Sequence, residues 1–351
     1  MIAMTMKKFI WLILLLCVTT YAQNASGQKR YEVYSAAFYN LENLFDTVDD
    51  PAKRGDDEFL PRSVYRWTQE KYERKLDNIA RVLSLLGREL CPMGPAVIGV
   101  SEVENRKVLE DLVARPKVSD MGLKVIHYES PDWRGIDCAL LYNPAIFTPT
   151  SSRPYPYPSE DPNFKTRDQL LVSGLLAGEE VHIIVNHWPS RYGSKSSSLR
   201  EAAARGVKHI VDSLYQSNPS AKVIIMGDLN DDPVDAGTSF VLKARRLPHE
   251  VAPQGLFNTM WRLYEQGVGS LAYQGKWNLF DQIIISEPLL NADPERGLKY
   301  LKPEVFNRDF LVQKEGRNKG YPHRTFSDNT FIDGYSDHFP TLIYLYREIG
   351  R

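Results

Sequence analysis

Apolar residues along this chain fall in short runs that stop abruptly at polar ones, and between the runs lie stretches with helical spacing. Tyr31 to Tyr39 alternates and is rich in β-formers, and it ends at Asn40-Leu41-Glu42. Thr68 caps a helix whose apolar positions Tyr72, Leu76, Ile79, Leu83 and Leu86 form one stripe ending at Gly87, as expected of a helix lying on a sheet. Ala96 to Val100 is a buried strand delivering Ser101-Glu102, followed by a helix carrying Val108, Leu109, Leu112 and Val113. Leu123 to Tyr128 and Ile136 to Tyr142 form a strand pair around the turn Pro131 to Gly135. The proline-rich stretch from Pro144 to Pro162 reads as a loop. Strands then run from Leu170 to Leu176 and from Val181 to Val185, the second ending in Asn186-His187-Trp188. Ser198 and Glu201 make a capping box for a helix with Val207, Ile210, Val211 and Leu214 on one face. Val223 to Met226 is a strand that stops at Gly227 and presents Asp228 and Asn230, whose side chains share a direction if the extended backbone continues. Ser239 to Arg246 suggests a short helix, and Asn278 to Ile285 a strand containing Asp281. After an irregular region, Ser336-Asp337-His338 opens a last strand, Phe339 to Leu345.

This alternation predicts a layered α/β protein, with no repeat, heptad run or internal linker. The 351 residues, 43% hydrophobic and 25% charged, supply an ordinary globular core. At the N-terminus, Lys7-Lys8 precede an apolar run from Phe9 to Val18, and small residues lead up to Ala22. That pattern predicts a secretory signal, residues 1–22, cleaved after Ala22, the alternative being a membrane anchor. A run of about ten apolar residues is short for a membrane span, and Cys17 inside it lacks the small neighbours of a lipidation site. An exported (periplasmic or secreted) protein with no stable membrane span is therefore expected.

Removing a leader that holds Lys7 and Lys8 leaves 41 basic against 44 acidic residues, a net charge of −3. Tight nonspecific binding to duplex nucleic acid normally needs a basic excess, so any such contact must be local. Cys91 and Cys138 have no zinc-site spacing; export permits a disulfide, but Cys138 lies in an apolar strand pattern that favours a buried free thiol. Nothing in the pattern specifies an oligomeric state.

Each polar cluster at a strand end has a plain reading as a turn or cap. Together, Asn40/Glu42, Glu102, Asn186/His187, Asp228/Asn230 and Asp337/His338 read better as one site, because strand ends on one sheet edge converge. Carboxylate and amide oxygens suit Mg²⁺, Mn²⁺ or Ca²⁺. A histidine oriented by a carboxylate can donate to a phosphoryl or leaving oxygen.

In that order, Asn40-x-Glu42, Ser101-Glu102-Val103, Asn186-His187, Gly227-Asp228-Leu229-Asn230, Phe280-Asp281-Gln282-Ile283 and Ser336-Asp337-His338 resemble the endonuclease/exonuclease/phosphatase superfamily, the deoxyribonuclease I-like fold. The resemblance runs from about Tyr31 to Leu345 and implies one catalytic domain, residues 31–347, built as a four-layer sandwich of two facing mixed β-sheets flanked by helices. It also implies Glu102 as the main metal carboxylate, assisted by Asn40 and Asp337. Glu42 departs in part from the pattern, which leaves its ligand role less secure. Asp228 would position or deprotonate the attacking water, Asn230 would hold a phosphate oxygen, and Asp281 would orient His338 on the scissile phosphate. His187 would face the phosphate or leaving group from the other side.

Several residues keep two readings. Asp137 is either a partner of His187 or a solvated strand-end aspartate, and Arg167 either a phosphate ligand or half of a surface salt bridge. Trp188 and Trp277 either stack on substrate or pack in the core, and Asn186 either binds substrate or closes its strand. Lys314, Arg317, Lys319, His323 and Arg324, with Tyr321 and Phe326, form either a polyanion contact or a solvated loop. The expected activity is metal-dependent phosphodiester hydrolysis, with nucleic acid as substrate and endonuclease action favoured. The alternatives are a phosphatase or phospholipase C-like hydrolase of lipid or small phosphoesters, and a non-catalytic binding protein on the same scaffold.

Overall fold

A computed structural model describes residues 29–191 and 197–350. The expected signal segment, with Cys17 and the Ala22 cleavage point, lies outside the described residues. In chain order the strands are β1 (Tyr31–Leu44), β2 (Val97–Val103), β3 (Lys124–His127), β4 (Asp137–Tyr142), β5 (Phe147–Tyr155), β6 (Gln169–Leu176), β7 (Glu179–His187), β8 (Lys222–Asp228) and β9 (Ala244–Arg245). They continue with β10 (Leu256–Asn258), β11 (Leu271–Tyr273), β12 (Lys276–Asn278), β13 (Asp281–Ser286), β14 (Lys299–Val305), β15 (Phe326–Ser327), β16 (Thr330–Phe331) and β17 (Thr341–Glu348). The principal helices are α1 (Gln69–Leu83), α2 (Arg106–Val113) and α3 (Ser197–Ser217).

Two mixed sheets face each other. One has the order β14-β17-β1-β2-β4-β3 and the other β5-β6-β7-β8-β13-β10-β9. The inner faces make one core that joins Phe38 and Val97 to Val185, Ile224 and Met226. The sheets approach closely at Gly99: a Cβ there would meet Met226 Sδ at 2.6 Å, so only hydrogen fits. Tyr72, Leu76 and Ile79 of α1 and Val108, Leu109 and Leu112 of α2 bury against the first sheet. Ala203, Ala204, Val207, Ile210 and Val211 of α3 bury against Ile184, Val223 and Ile225 of the second. The result is the expected four-layer sandwich.

Caps behave as their chemistry predicts at two helices. Thr68 Oγ1 accepts from the Lys71 N–H at 3.4 Å, and Asn105 Oδ1 accepts from the Val108 N–H at 3.0 Å. The third differs, since α3 begins at Ser197 and Ser198 falls within its first turn instead of at its cap. The proline-rich segment also departs from expectation. Phe147–Tyr155 is a strand, and Pro149 and Pro154 are tolerated because β5 lies at the sheet edge. The helix expected over Ser239 to Arg246 is instead a π-turn, Ala236–Val241, followed by the short strand β9. The strand expected from Asn278 to Ile285 splits into β12 and β13, which belong to different sheets. Cys91 and Cys138 are both buried and free.

Glu104, just beyond β2, is buried and accepts from the Asp46 N–H at 2.7 Å. Burial, with Asp46, Asp56 and Asp50 close by, pushes its carboxyl up to about 8. The folded chain therefore holds this proton more tightly than the unfolded one. Its contribution to stability is complete below about pH 4.5 and is lost as pH rises to about 8. In chelator, Glu104→Gln is expected to raise the melting temperature by a few degrees at pH 9 and leave it unchanged at pH 4, read by thermal denaturation. Equal melting temperatures at pH 9 would contradict this.

Candidate active site

The sheet registers bring the polar residues to one edge. In the second sheet His187 pairs with Asp228, and Asp228 with Asp281. In the first, Asn40 pairs with Ser101, while Phe38 pairs with Thr341, three residues after His338. Regular pleating alone would not aim all of them inward. Registers shift between Asn40 and Leu44 and between Ser101 and Val103, and Glu42, Asn43 and Glu102 take positive φ of 49°, 53° and 59°. These bulges turn Glu102 off the pleat toward the edge.

The inward-facing residues are hydrogen-bonded to one another. Asn40 Nδ2 donates to Asp228 Oδ2 at 3.1 Å, and Asn40 Oδ1 accepts from the Glu42 N–H at 2.9 Å. Asp228 Oδ1 accepts from the Asn230 N–H at 3.0 Å. Extension does not continue past Asp228 as far as Asn230, which has a φ of 48°, and the Asn230 side-chain amide donates to the Trp188 carbonyl at 3.0 Å. One of its two amide hydrogens is thus committed and the other is left for a further acceptor.

His338 Nδ1 sits 2.6 Å from Asp281 Oδ2, which also accepts from Ser270 Oγ at 2.5 Å. Burial works against the imidazolium, but Asp281 in contact, with Asp337 and Asp228 nearby, raises His338 well above the ordinary histidine range. Nε2 then points outward as a donor, 3.9 Å from Asp228 Oδ2. His187 is the opposite case. Burial, reinforced by Arg167, Arg134 and His338, drops it well below the usual range and keeps it neutral. Its Nε2 stands 3.8 Å from Glu102 Oε1 and 3.7 Å from Asp228 Oδ2, and its Nδ1 has no hydrogen-bond partner among the described residues. Burial also pushes the Asp228 carboxyl up to about 7.

Glu102 Oε2 accepts from the Asn43 N–H at 3.0 Å and lies 3.6 Å from Arg134, whereas Oε1 accepts no hydrogen bond among the described residues. A carboxylate oxygen left open beside Asn40 Oδ1, which keeps a second lone pair, suits a hard divalent cation. Asp337 Oδ1 lies 3.9 Å from His338 Nε2. Burial opposes its ionisation, but Arg324, 3.2 Å away, and His338 hold it below the ordinary carboxylate range.

Glu42 does not fit the ligand role expected of it. Its oxygens accept from the Thr325 N–H at 2.7 Å and from Arg324 Nε at 3.1 Å, with the buried Lys75 3.7 Å away. The bulge that aims Glu102 at the edge turns Glu42 onto the chain before β15, where it anchors the Arg324 loop.

Other expectations are corrected by partners the strands impose. Asp137 does not reach His187: it accepts from the Ser130 N–H at 2.8 Å and pairs with His127 Nε2 at 2.9 Å. Asn186 alternates with His187 on β7, so it faces α3, donates to the Ile184 and Met226 carbonyls and is fully buried. Trp188 is 1% exposed and packs under α3, which removes it from substrate stacking. Arg167 is neither on the surface nor open to phosphate, since it donates to Asp132 Oδ2 at 3.1 Å and to the Trp188 carbonyl at 2.7 Å, buried behind His187. Trp277 lies half-buried on Phe339, with Tyr321 against its edge.

Four contributors went unread in the sequence: Ser270, Arg134, Lys75 and the reach of Arg324. Lys75 left a signal, because it falls inside the buried arc of α1 defined by Tyr72, Leu76 and Ile79, where an unpaired lysine does not survive. Donating to Thr325 Oγ1 at 2.5 Å and to the Tyr335 carbonyl at 2.8 Å, it fixes the loop behind Asp337.

Beside this edge two adjoining cavities of about 460 and 680 Å³ share Tyr273, Gln274, Arg324 and Asp337. Arg317 and Tyr321 line the first, and Arg191, Lys276, Asn230 and Phe280 the second. Tyr273, at the tip of the β11–β12 hairpin, is 63% exposed, and the Arg191 guanidinium lies 4.5 Å from the centre of the Phe280 ring. The rim is therefore aromatic and carries mixed charge: Arg317 and Lys276 line it beside Asp328 and Asp337, while Arg191 is paired with Asp231, Asp232 and Asp235 and Arg324 with Glu42 and Asp337.

A family model described as Endonuclease/Exonuclease/phosphatase family matches residues 35–347. No curated protein matches the sequence. Among solved structures, D. rerio TDP2 complexed with a single-strand DNA product is 14% identical, with a TM-score of 0.55 over 89% of this chain and 98% of that one. ANGEL2, a 2',3'-cyclic phosphatase, is 14% identical, with a TM-score of 0.56 over 92% and 99%. An endonuclease/exonuclease/phosphatase family protein from Bacteroides thetaiotaomicron is 15% identical, with a TM-score of 0.52 over 92% and 98%. At these identities the likeness is one of fold.

Proposed function

The chain belongs to the endonuclease/exonuclease/phosphatase family and is a metal-dependent phosphoric ester hydrolase, and on that premise we propose that it is an exported phosphodiesterase that cleaves nucleic acid, most readily as an endonuclease on single strands. The observation that carries the reading is the buried His338–Asp281 pair facing Asp228 across the same edge as the open oxygen of Glu102. Protonated imidazole, ionisable carboxylate and a hard-oxygen position in one space are what phosphodiester hydrolysis needs.

Glu102, with Asn40 and Asp337, would hold Mg²⁺, Mn²⁺ or Ca²⁺, and the bound cation neutralises charge developing on the phosphate. Asp228, held by Asn40 and the Asn230 N–H, orients the attacking water and takes its proton. The free amide hydrogen of Asn230 and one nitrogen of neutral His187 fix phosphoryl oxygens. His338 donates to the phosphate from Nε2 while Asp281 keeps it protonated and in place. For the polymer, Arg191, Lys276, Arg317 and Arg324 supply backbone contacts and Tyr273 a face for a base, the combination single-strand binding uses.

The test is a panel of single-stranded DNA, duplex DNA, RNA, bis-p-nitrophenyl phosphate, phosphoinositides and sphingomyelin, each with Mg²⁺ or Mn²⁺ and with EDTA. Single-stranded nucleic acid is expected to be cut fastest, EDTA to abolish cutting and added metal to restore it. Preference for a lipid or small phosphoester would replace the nuclease reading with the phosphatase or phospholipase C-like one. Inactivity on the whole panel would leave a binding protein on this scaffold. Export is supported by Lys7-Lys8 and the apolar run to Val18; N-terminal sequencing of exported protein is expected to begin at Gln23.

A further inference from the structure

Away from the active site, the loop after β1 gathers three aspartates that form no ion pair among the described residues. Asp49, Asp56 and Asp57 each offer a carboxylate oxygen, and these atoms lie within 4.8 Å of one another. Asp56 is 2% exposed; its Oδ2 accepts from the Asp50 N–H at 2.7 Å, but its Oδ1 is buried with no hydrogen-bond partner among the described residues. An orphaned carboxylate oxygen inside a protein is costly unless a cation meets it. The loop's own lysine does not. Lys53 turns the other way, to Glu129 at 3.5 Å and the Ser130 carbonyl at 3.3 Å, and among the described residues no lysine or arginine pairs with any of the three aspartates.

We propose that Asp49, Asp56 and Asp57 form a structural Ca²⁺ site that holds this loop against the turn carrying Arg134. Three hard oxygens, those of Asp49 and Asp57 on exposed side chains, leave room for water and carbonyl ligands, which suits the high coordination number of Ca²⁺ better than the strict octahedron of Mg²⁺. The loop is a buttress for the catalytic edge. Gly55 packs so tightly on the Arg134 carbonyl that any Cβ there would collide with it, and a Cβ on Gly135 would meet the Lys53 side chain at 3.1 Å. Arg134 in turn donates to Asn43 Oδ1 at 2.6 Å and stands 3.6 Å from Glu102. The site is chemically independent of the catalytic cation and does not rest on the proposed substrate.

Trypsin reads the loop directly, because Lys53 and the exposed Arg54 sit inside it. Cleavage after these residues, followed by mass spectrometry of the full chain, is compared in Ca²⁺ and in EDTA. With free Ca²⁺ about ten times its dissociation constant, cleavage of the wild type is expected to slow roughly tenfold. Asp56→Asn and the milder surface change Asp49→Ser are expected to lose that protection, and Glu102→Gln to keep it. Equal cleavage of the wild type with and without Ca²⁺ would overturn the proposal. So would protection that survives both loop variants but disappears in Glu102→Gln, because the ion would then act at the catalytic edge.

Discussion

Asp228→Asn is expected to lower kcat about 10³-fold while leaving the fold intact, a loss typical of removing a positioned base. The Asp228 carboxylate is held at both oxygens. Asn40 Nδ2 and the Asn230 N–H fix its two oxygens, and asparagine can keep one acceptor while losing the ability to take a proton. Burial has already pushed the Asp228 carboxyl up to about 7, so the wild type spends stability to keep a base there. The variant should melt at the same temperature or higher. The pH dependence has a definite sign: the base works only when ionised, so the acid limb of kcat/KM rises with pH up to about 7. A cation held at Glu102 lowers that value, so the limb in the metal-loaded enzyme falls at or below this pH. The limb should be absent from Asp228→Asn. A variant that keeps wild-type kcat, or loses its activity together with its cooperative melting, would remove Asp228 from the role of base.

The strands that carry this residue could be read without coordinates. Val223 to Ile225 is a β-branched run followed by Met226 and stopped by glycine, and burial on both faces leaves few other conformations for it. The same holds for the runs ending at Asn40, Glu102 and His187, and for the stripe of α1. Partner choice was not legible. Nothing in the order of residues distinguishes Asp137 next to His187 from Asp137 next to His127; strand register decides it. Bulges were equally silent. A two-residue spacing implied that Asn40 and Glu42 share a target, whereas positive φ at Glu42 sends its carboxylate to Arg324 and Thr325. Alternation, on the other hand, could have been applied to Asn186 and His187. Consecutive residues on one strand face opposite ways, so once His187 is assigned to the edge Asn186 belongs under α3. The prolines of β5 misled for the same kind of reason: they bar a central strand and allow an edge one, and edge status is a property of the sheet.

His338 and Asp281 are expected to behave as one unit. His338→Asn should lower kcat by about 10²–10⁴, the range for a positioned acid, and Asp281→Asn by less, with the double variant no worse than His338→Asn alone. Asp281 does its work through His338, at 2.6 Å from Nδ1, and Ser270 in turn steadies Asp281. A merely structural aspartate would give additive losses instead. The pH profile separates the two accounts further. Asp281 is the principal group raising His338 above the ordinary histidine range against burial, so removing its charge lets that value fall. A donor must be protonated, and the alkaline limb of the rate profile should therefore move to lower pH in Asp281→Asn and vanish in His338→Asn. If Asp281→Asn loses rate equally at every pH, the carboxylate supports the imidazole by packing alone. If the limb moves, the charge itself is what keeps a proton on Nε2 in a site where burial would strip it.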